Sequence, residues 1–195
     1  MTDEIQKLIA ALRSGDYGDP AEKISLLSAA LREAETDVPF LLSLLRAPQI
    51  NLRLAAMDAG RDRNEAELQQ ELRGLVKSPE PPIRTKLAEI LEMKSDPGAV
   101  DALRTLILDT DANVRVAAIK STGGRPEFRD DHVKCLLHDS VWTVRIASVN
   151  ALSTPKDPQL IQLLCTVLHH DHDSDVRQRC AEIIEARLQG QFLVY

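Results

Sequence analysis

Hydrophobic positions along this chain fall into short stripes with helical spacing. In residues 3–14, Ile5, Leu8 and Ile9 lie three and four apart among Asp3, Glu4, Gln6 and Lys7. That spacing puts the apolar side chains on one face of a helix. A Leu-rich stripe, a short polar loop and an Ala-rich stripe then alternate down the chain. The pattern predicts first helices near 3–14, 37–46, 64–77, 97–108, 127–137 and 158–168. It predicts second helices near 20–34, 50–60, 81–93, 112–122, 141–152 and 174–189. Asp19-Pro20, Asp96-Pro97 and Asp157-Pro158 each set a capping oxygen before a proline at the first helical position. Gly123-Gly124 and Pro155 end second helices.

The stripes repeat. An apolar residue, an arginine and an Ala-rich run recur as Leu52-Arg53, Ile83-Arg84, Val114-Arg115, Val144-Arg145 and Val176-Arg177. These arginines are 31, 31, 30 and 32 residues apart. Lys23, 30 residues before Arg53, marks a degenerate first copy. A period near 31 that holds two helices makes each unit a helical hairpin. One hairpin cannot bury both of its apolar faces, so neighbours must stack. The expected fold is all-α, a solenoid of about six stacked hairpins over residues 1–195. The repeats run approximately 1–35, 36–62, 63–94, 95–124, 125–154 and 155–190, with a tail at 191–195.

The string Leu108-Asp109-Thr110-Asp111-Ala112-Asn113-Val114-Arg115-Val116-Ala117-Ala118 resembles the short HEAT-type repeat, the variety first associated with phycobilin lyases. The resemblance spans essentially the whole chain. It implies a right-handed superhelix whose loop aspartates and second-helix arginines form a buried ladder. Asp109, Asp139 and Asp171 each stand six residues before Arg115, Arg145 and Arg177. The same slot holds Tyr17, Ala47 and Ser78 in the first three repeats, so the expected ladder is complete only in the C-terminal half. Arg53 and Arg84 belong to its arginine column.

The resemblance also implies that second helices line a concave side. Counting the arginine as slot zero, slots +1 and +4 should face or border that groove. Leu54 with Met57, Val116 with Ile119, and Ile146 with Val149 then predict a shallow apolar floor, with Trp142 as an anchor at its rim. Asp58, Glu89, Lys120, Asn150 and Glu182 in slot +5 form a mostly polar or acidic rim, which favours a partner with some positive charge. The expected occupant is a protein or peptide, such as an amphipathic helix or extended segment.

Composition narrows the alternatives. Only 3% of residues are aromatic, against 44% apolar overall, so aliphatic helix packing is favoured over a sandwich or barrel. The net charge is −6 and is split evenly between the halves, with no basic lobe. Nucleic acid is therefore a poor expectation as a partner, because polyanion binding needs clustered Lys and Arg. No stretch approaches a membrane span. Cys135, Cys165 and Cys180 form no CxxC and sit at core spacing, as expected of buried free thiols in a reducing, cytoplasmic setting.

His169-His170-Asp171-His172-Asp173 offers metal-ligand chemistry, but neighbours in one loop rarely converge on an ion and Asp171 belongs to the ladder. We therefore expect no metal, no cofactor and no catalytic site. An enzyme-associated module is the alternative, of phycobilin-lyase kind or of the HEAT-like DNA repair glycosylase kind. The net acidic charge and single tryptophan count against the latter. The apolar tail Gln191-Phe192-Leu193-Val194-Tyr195 is expected to cap the last repeat, to pair copies of the chain, or to lead into a larger parent chain.

Overall fold

The computed structural model describes residues 2–15, 18–153 and 159–190. The readings at Tyr17, Pro155, Asp157-Pro158 and the 191–195 tail lie outside them. The described residues hold twelve α-helices, two 3-10 turns and no strand. They form two compact units, residues 1–94 and 95–195.

The first unit contains three hairpins: α1 (Asp3–Ser14) with α2 (Pro20–Glu33), α3 (Val38–Leu45) with α4 (Ile50–Ala59), and α5 (Ala66–Gly74) with α6 (Pro81–Leu91). The second contains α7 (Pro97–Ile107) with α8 (Ala112–Ser121), α9 (Arg129–His138) with α10 (Trp142–Ser153), and α11 (Leu160–His170) with α12 (Ser174–Leu188). Second helices pack in series, α2 on α4 on α6 in one unit and α8 on α10 on α12 in the other. Each unit is thus a short stack of hairpins of HEAT type.

Local chemistry explains the helix ends. Asp19 accepts the Ala21 N–H at 2.9 Å and Asp96 accepts the Ala99 N–H at 3.1 Å, each just before a proline. Asp37 caps α3 through the Phe40 N–H at 2.8 Å. Two first helices depart from the expected bounds. The run expected at 64–77 is α-helical only to Gly74 and then tightens into a 3-10 turn, Leu75–Lys77. The run expected at 127–137 begins as a 3-10 turn, Pro126–Phe128. Phe128 there is fully buried, with the guanidinium carbons of Arg125 and Arg104 at 4.8 and 5.7 Å from its ring centre.

Burial follows the slots. Leu52, Ile83, Val114, Val144 and Val176, just before each arginine, are all 0% exposed. Each such aliphatic side chain contributes about 1.5–3 kcal/mol on leaving water. Gly124 sits at φ 75°, a conformation that costs glycine little, and its N–H donates to the Ala151 carbonyl at 3.2 Å. That bond ties the fourth hairpin to the fifth.

Candidate interaction surface

The scaffold of any surface here is the loop at which each first helix turns into its second. In the second unit the turn is built by aspartate. Asp109, Asp139 and Asp171 each accept the N–H two residues on, at 2.8–2.9 Å. Asp111 and Asp173 then cap α8 and α12. Arginine closes the loop from the far side. The Nη1 groups of Arg84, Arg115, Arg145 and Arg177 each donate to the carbonyl six residues earlier, at 2.6–2.9 Å.

The remaining edge of the guanidinium reaches the next hairpin. Arg115 donates through Nε and Nη2 to Asp139 at 2.7 and 2.8 Å, and Arg145 does the same to Asp171 at 2.8 Å. Side-chain exposures of 13% and 9% for the first pair, and 13% and 7% for the second, keep water largely out. Burial pulls the Asp171 carboxyl upward, but hydrogen bonds from Arg145 and the Asp173 N–H reverse this and leave it below the usual carboxylate range. Hydrogen bonding to Asp171 raises Arg145 correspondingly.

The first unit builds the same junction differently. Ser78 stands where an aspartate would, and its hydroxyl accepts Arg53 Nη2 at 2.8 Å. Glu80 supplies the charge, with Oε2 3.1 Å from Arg53 Nη1. Arg53 Nε is buried without an acceptor among the described residues.

The residues expected to line a groove divide by exposure. Leu54, Val116 and Ile146 are half-buried, and Trp142, the first residue of α10, is 43% exposed. Met57, Ile119 and Val149 are 0% exposed and lie in the core, where no partner can touch them. At 100° per residue, slot +4 turns about 60° away from slot +1 and into the seam with the neighbouring second helix. The core stripe is simply wider than three slots.

A second row of polar contacts was not anticipated. Lys86 Nζ lies 2.9 Å from Asp58 Oδ1 and 3.3 Å from Glu89 Oε2. Arg179 donates to Asn150 at 2.7 Å and to Glu182 at 2.9 Å. In both units slot +2 reaches back to slot +5 of the preceding hairpin and on to its own. Much of the expected acidic rim is thereby matched from within. The signal was available: a cation 28 or 29 residues after a slot +5 acceptor and three before an acid.

At the loop edge of the second unit, a cleft of about 390 Å³ is lined by Leu137, His138, Ser140, Thr166, His170 and His172 beside the Arg145–Asp171 pair. The rings of His169 and His170 are 6.5 Å apart and nearly perpendicular. Among the described residues no group of three or more His, Cys, Asp and Glu side chains is arranged to hold a metal ion. Cys135 and Cys180 are buried and Cys165 is half-buried; burial pushes the thiols of Cys135 and Cys180 up to about 11 and about 12.

A family model for HEAT repeats matches residues 38–123 and 109–185. The chain belongs to the HEAT-repeat family. No curated protein and no solved structure matches it. HEAT repeats are generally protein-interaction scaffolds, and on the second helices of this HEAT protein Asp58 and Glu89 pair with Lys86, and Glu182 with Arg179. No helix among the described residues is long and apolar enough to cross a membrane.

Proposed function

We propose that this protein is a scaffold or adaptor that binds a partner peptide or domain on its second-helix face. The observation that carries this reading is the slot +1 pair of the second unit, Val116 and Ile146, with Leu54 in the same slot of the first unit. Leu54 in one unit, and Val116 and Ile146 in the other, are apolar and half-buried rather than sealed, and Ile146 lies against the edge of its unit's core. Trp142 stands exposed at the head of the helix that carries Ile146. Aromatic anchors beside shallow apolar strips are where binding energy concentrates. The polar residues that flank the strip pair with one another, so the rim favours orientation over strong net attraction.

The three thiols are free, which fits a reducing compartment such as the cytoplasm. The lyase and repair-glycosylase alternatives draw no support from the geometry. The second-helix arginines Arg115 and Arg145 are committed to loop carbonyls and to Asp139 and Asp171, and the latter carboxylate lies beside the cleft.

The test is affinity capture from source lysate, read by mass spectrometry, with the wild type beside a Val116→Ser/Ile146→Ser double variant. Circular dichroism checks that the variant remains folded. The reading requires the variant to lose partners that the wild type retains. An unchanged partner set on a folded double variant would sink it.

A further inference from the structure

Among the described residues, Arg177 is the last arginine of the ladder. Its Nη1 donates to the carbonyl of Asp171 at 2.9 Å, as Arg145 Nη1 donates to the carbonyl of Asp139 at 2.9 Å. The shared anchor sets both guanidinium groups alike on their helices. The free edge of Arg145 is filled by Asp171 of the next hairpin. Nε and Nη2 of Arg177 have no acceptor among the described residues. A guanidinium fork presented this way fits a carboxylate side-on.

The helix that carries Arg177 shows the same interruption. Slot +4 is 0% exposed at Leu27, Met57, Ala88, Ile119 and Val149, yet Ala181 in that slot of α12 is partly exposed. Leu188, near the end of α12, is 74% exposed. The first hairpin shows the mirror case. Slot +3 is 0% exposed at Ala56, Leu87, Ala118, Ser148 and Cys180, whereas Leu26 in that slot of α2 is 45% exposed. Among the described residues, no second helix packs beyond α12 in its unit and none before α2 in its own.

The first hairpin also holds a carboxylate in a usable slot. Glu80, which meets Arg53, stands four residues before Arg84; Asp19 stands four residues before Lys23. One oxygen of Asp19 caps α2, and the residue is exposed.

We propose that the outer face of α12 docks the first hairpin of a second copy of this chain. Asp19 of the second copy sits on the Arg177 fork, and Leu26 packs against Ala181 and Leu188. The contact continues the packing already made between hairpins inside each unit, and its charges are complementary. It is a head-to-tail contact between two different faces, so a pair of copies joined by it keeps one face of each kind for a further copy. Glu22 limits its strength. It occupies the slot filled by Leu52, Ile83 and Val114 elsewhere, and bringing a carboxylate into an apolar seam is costly. The association is therefore weak and concentration-dependent.

The test is sedimentation velocity on the full chain from about 10 µM to about 1 mM, a range that reports weak self-affinity. The sedimentation coefficient should rise with concentration, and the rise should shrink in high salt. Arg177→Asp and Asp19→Arg should each weaken association about tenfold or more by setting like charges together. An equimolar mixture of the two should restore it, because reversed charges then meet. Asp19→Asn keeps a capping oxygen for α2 and should weaken association without changing the melting temperature. A wild type that stays monomeric across the range overturns the proposal. So does association indifferent to Arg177→Asp, or a mixture that associates no better than its components.

Discussion

Arg145 and Asp171 meet as two parallel hydrogen bonds of 2.8 Å, Nε to one carboxylate oxygen and Nη2 to the other, across the junction between two hairpins. The same carboxylate accepts the Asp173 N–H at 2.9 Å, so one side chain both shapes its own loop and fixes the neighbour's position. Arg115 and Asp139 repeat the arrangement one hairpin earlier.

Removing one member of such a pair leaves a mostly buried charge alone. Asp171→Ala should destabilise the second unit by about 3 kcal/mol, since breaking a buried pair costs more than the pair contributes. Arg145→Met combined with Asp171→Ala should cost clearly less than the sum of the single changes. Urea unfolding of all four proteins measures the coupling. A coupling energy near zero would show that the two side chains act independently.

The first unit has room for a better junction. Arg53 Nε is buried without an acceptor because Ser78 offers a single oxygen where the second unit offers two. Ser78→Asp in a Glu80→Gln background should raise stability by about 1 kcal/mol, seen as a rise of a few degrees in the thermal midpoint. A fall would mean that the loop cannot present the carboxylate as Asp139 and Asp171 are presented.

His132 makes the second unit sensitive to mild acid. It is 1% exposed, its Nε2 lies 2.8 Å from the Thr122 hydroxyl, and its ring stacks on Phe128. Burial pushes its pKa down to about 4 from an ordinary 6.5. The unfolded chain therefore binds this proton more readily than the folded one. The associated stability is fully present above pH 6.5 and is lost progressively as pH falls towards 4, by about 3 kcal/mol in all. Asp171, whose carboxyl is lowered, adds a loss only in more acid solution. His132→Gln should flatten the profile between pH 6.5 and 4 in denaturant melts. An unchanged slope would assign the acid sensitivity elsewhere.

The two slots of the second-helix face should separate cleanly. Val149→Ala and Ile119→Ala remove methyl groups from sites with no exposure and should each cost about 1–4 kcal/mol. Val116→Ser and Ile146→Ser, at half-buried sites, should each cost about 1 kcal/mol or less. Equal losses at both slots would mean that slot +1 is core as well.

Most of the fold was readable from spacing alone. The arginines at 53, 84, 115, 145 and 177 announced the period, and proline after aspartate marked the helix starts. Residues 108–118 alone carried the resemblance to HEAT-type repeats. The tightening at Leu75–Lys77 and the 3-10 entry at Pro126–Phe128 were not readable, because tertiary packing rather than local propensity decides the terminal turns of a helix. The surface was less legible than the fold. Slots +1 and +4 differ by about 60° of rotation, and only the neighbouring helix decides which one is sealed. Periodicity identified Val116 and Ile119 as one apolar stripe, but could not say that Ile119 lies at the seam. The Lys86 and Arg179 bridges escaped notice because they link slots a whole repeat apart, outside the range where helical spacing helps.

Mass-spectrometric footprinting of Trp142 oxidation, with and without a captured partner, tests the proposed binding face most directly. The account predicts a several-fold fall in labelling of this 43%-exposed residue once the partner is bound. Equal labelling in the free and the bound protein would contradict it.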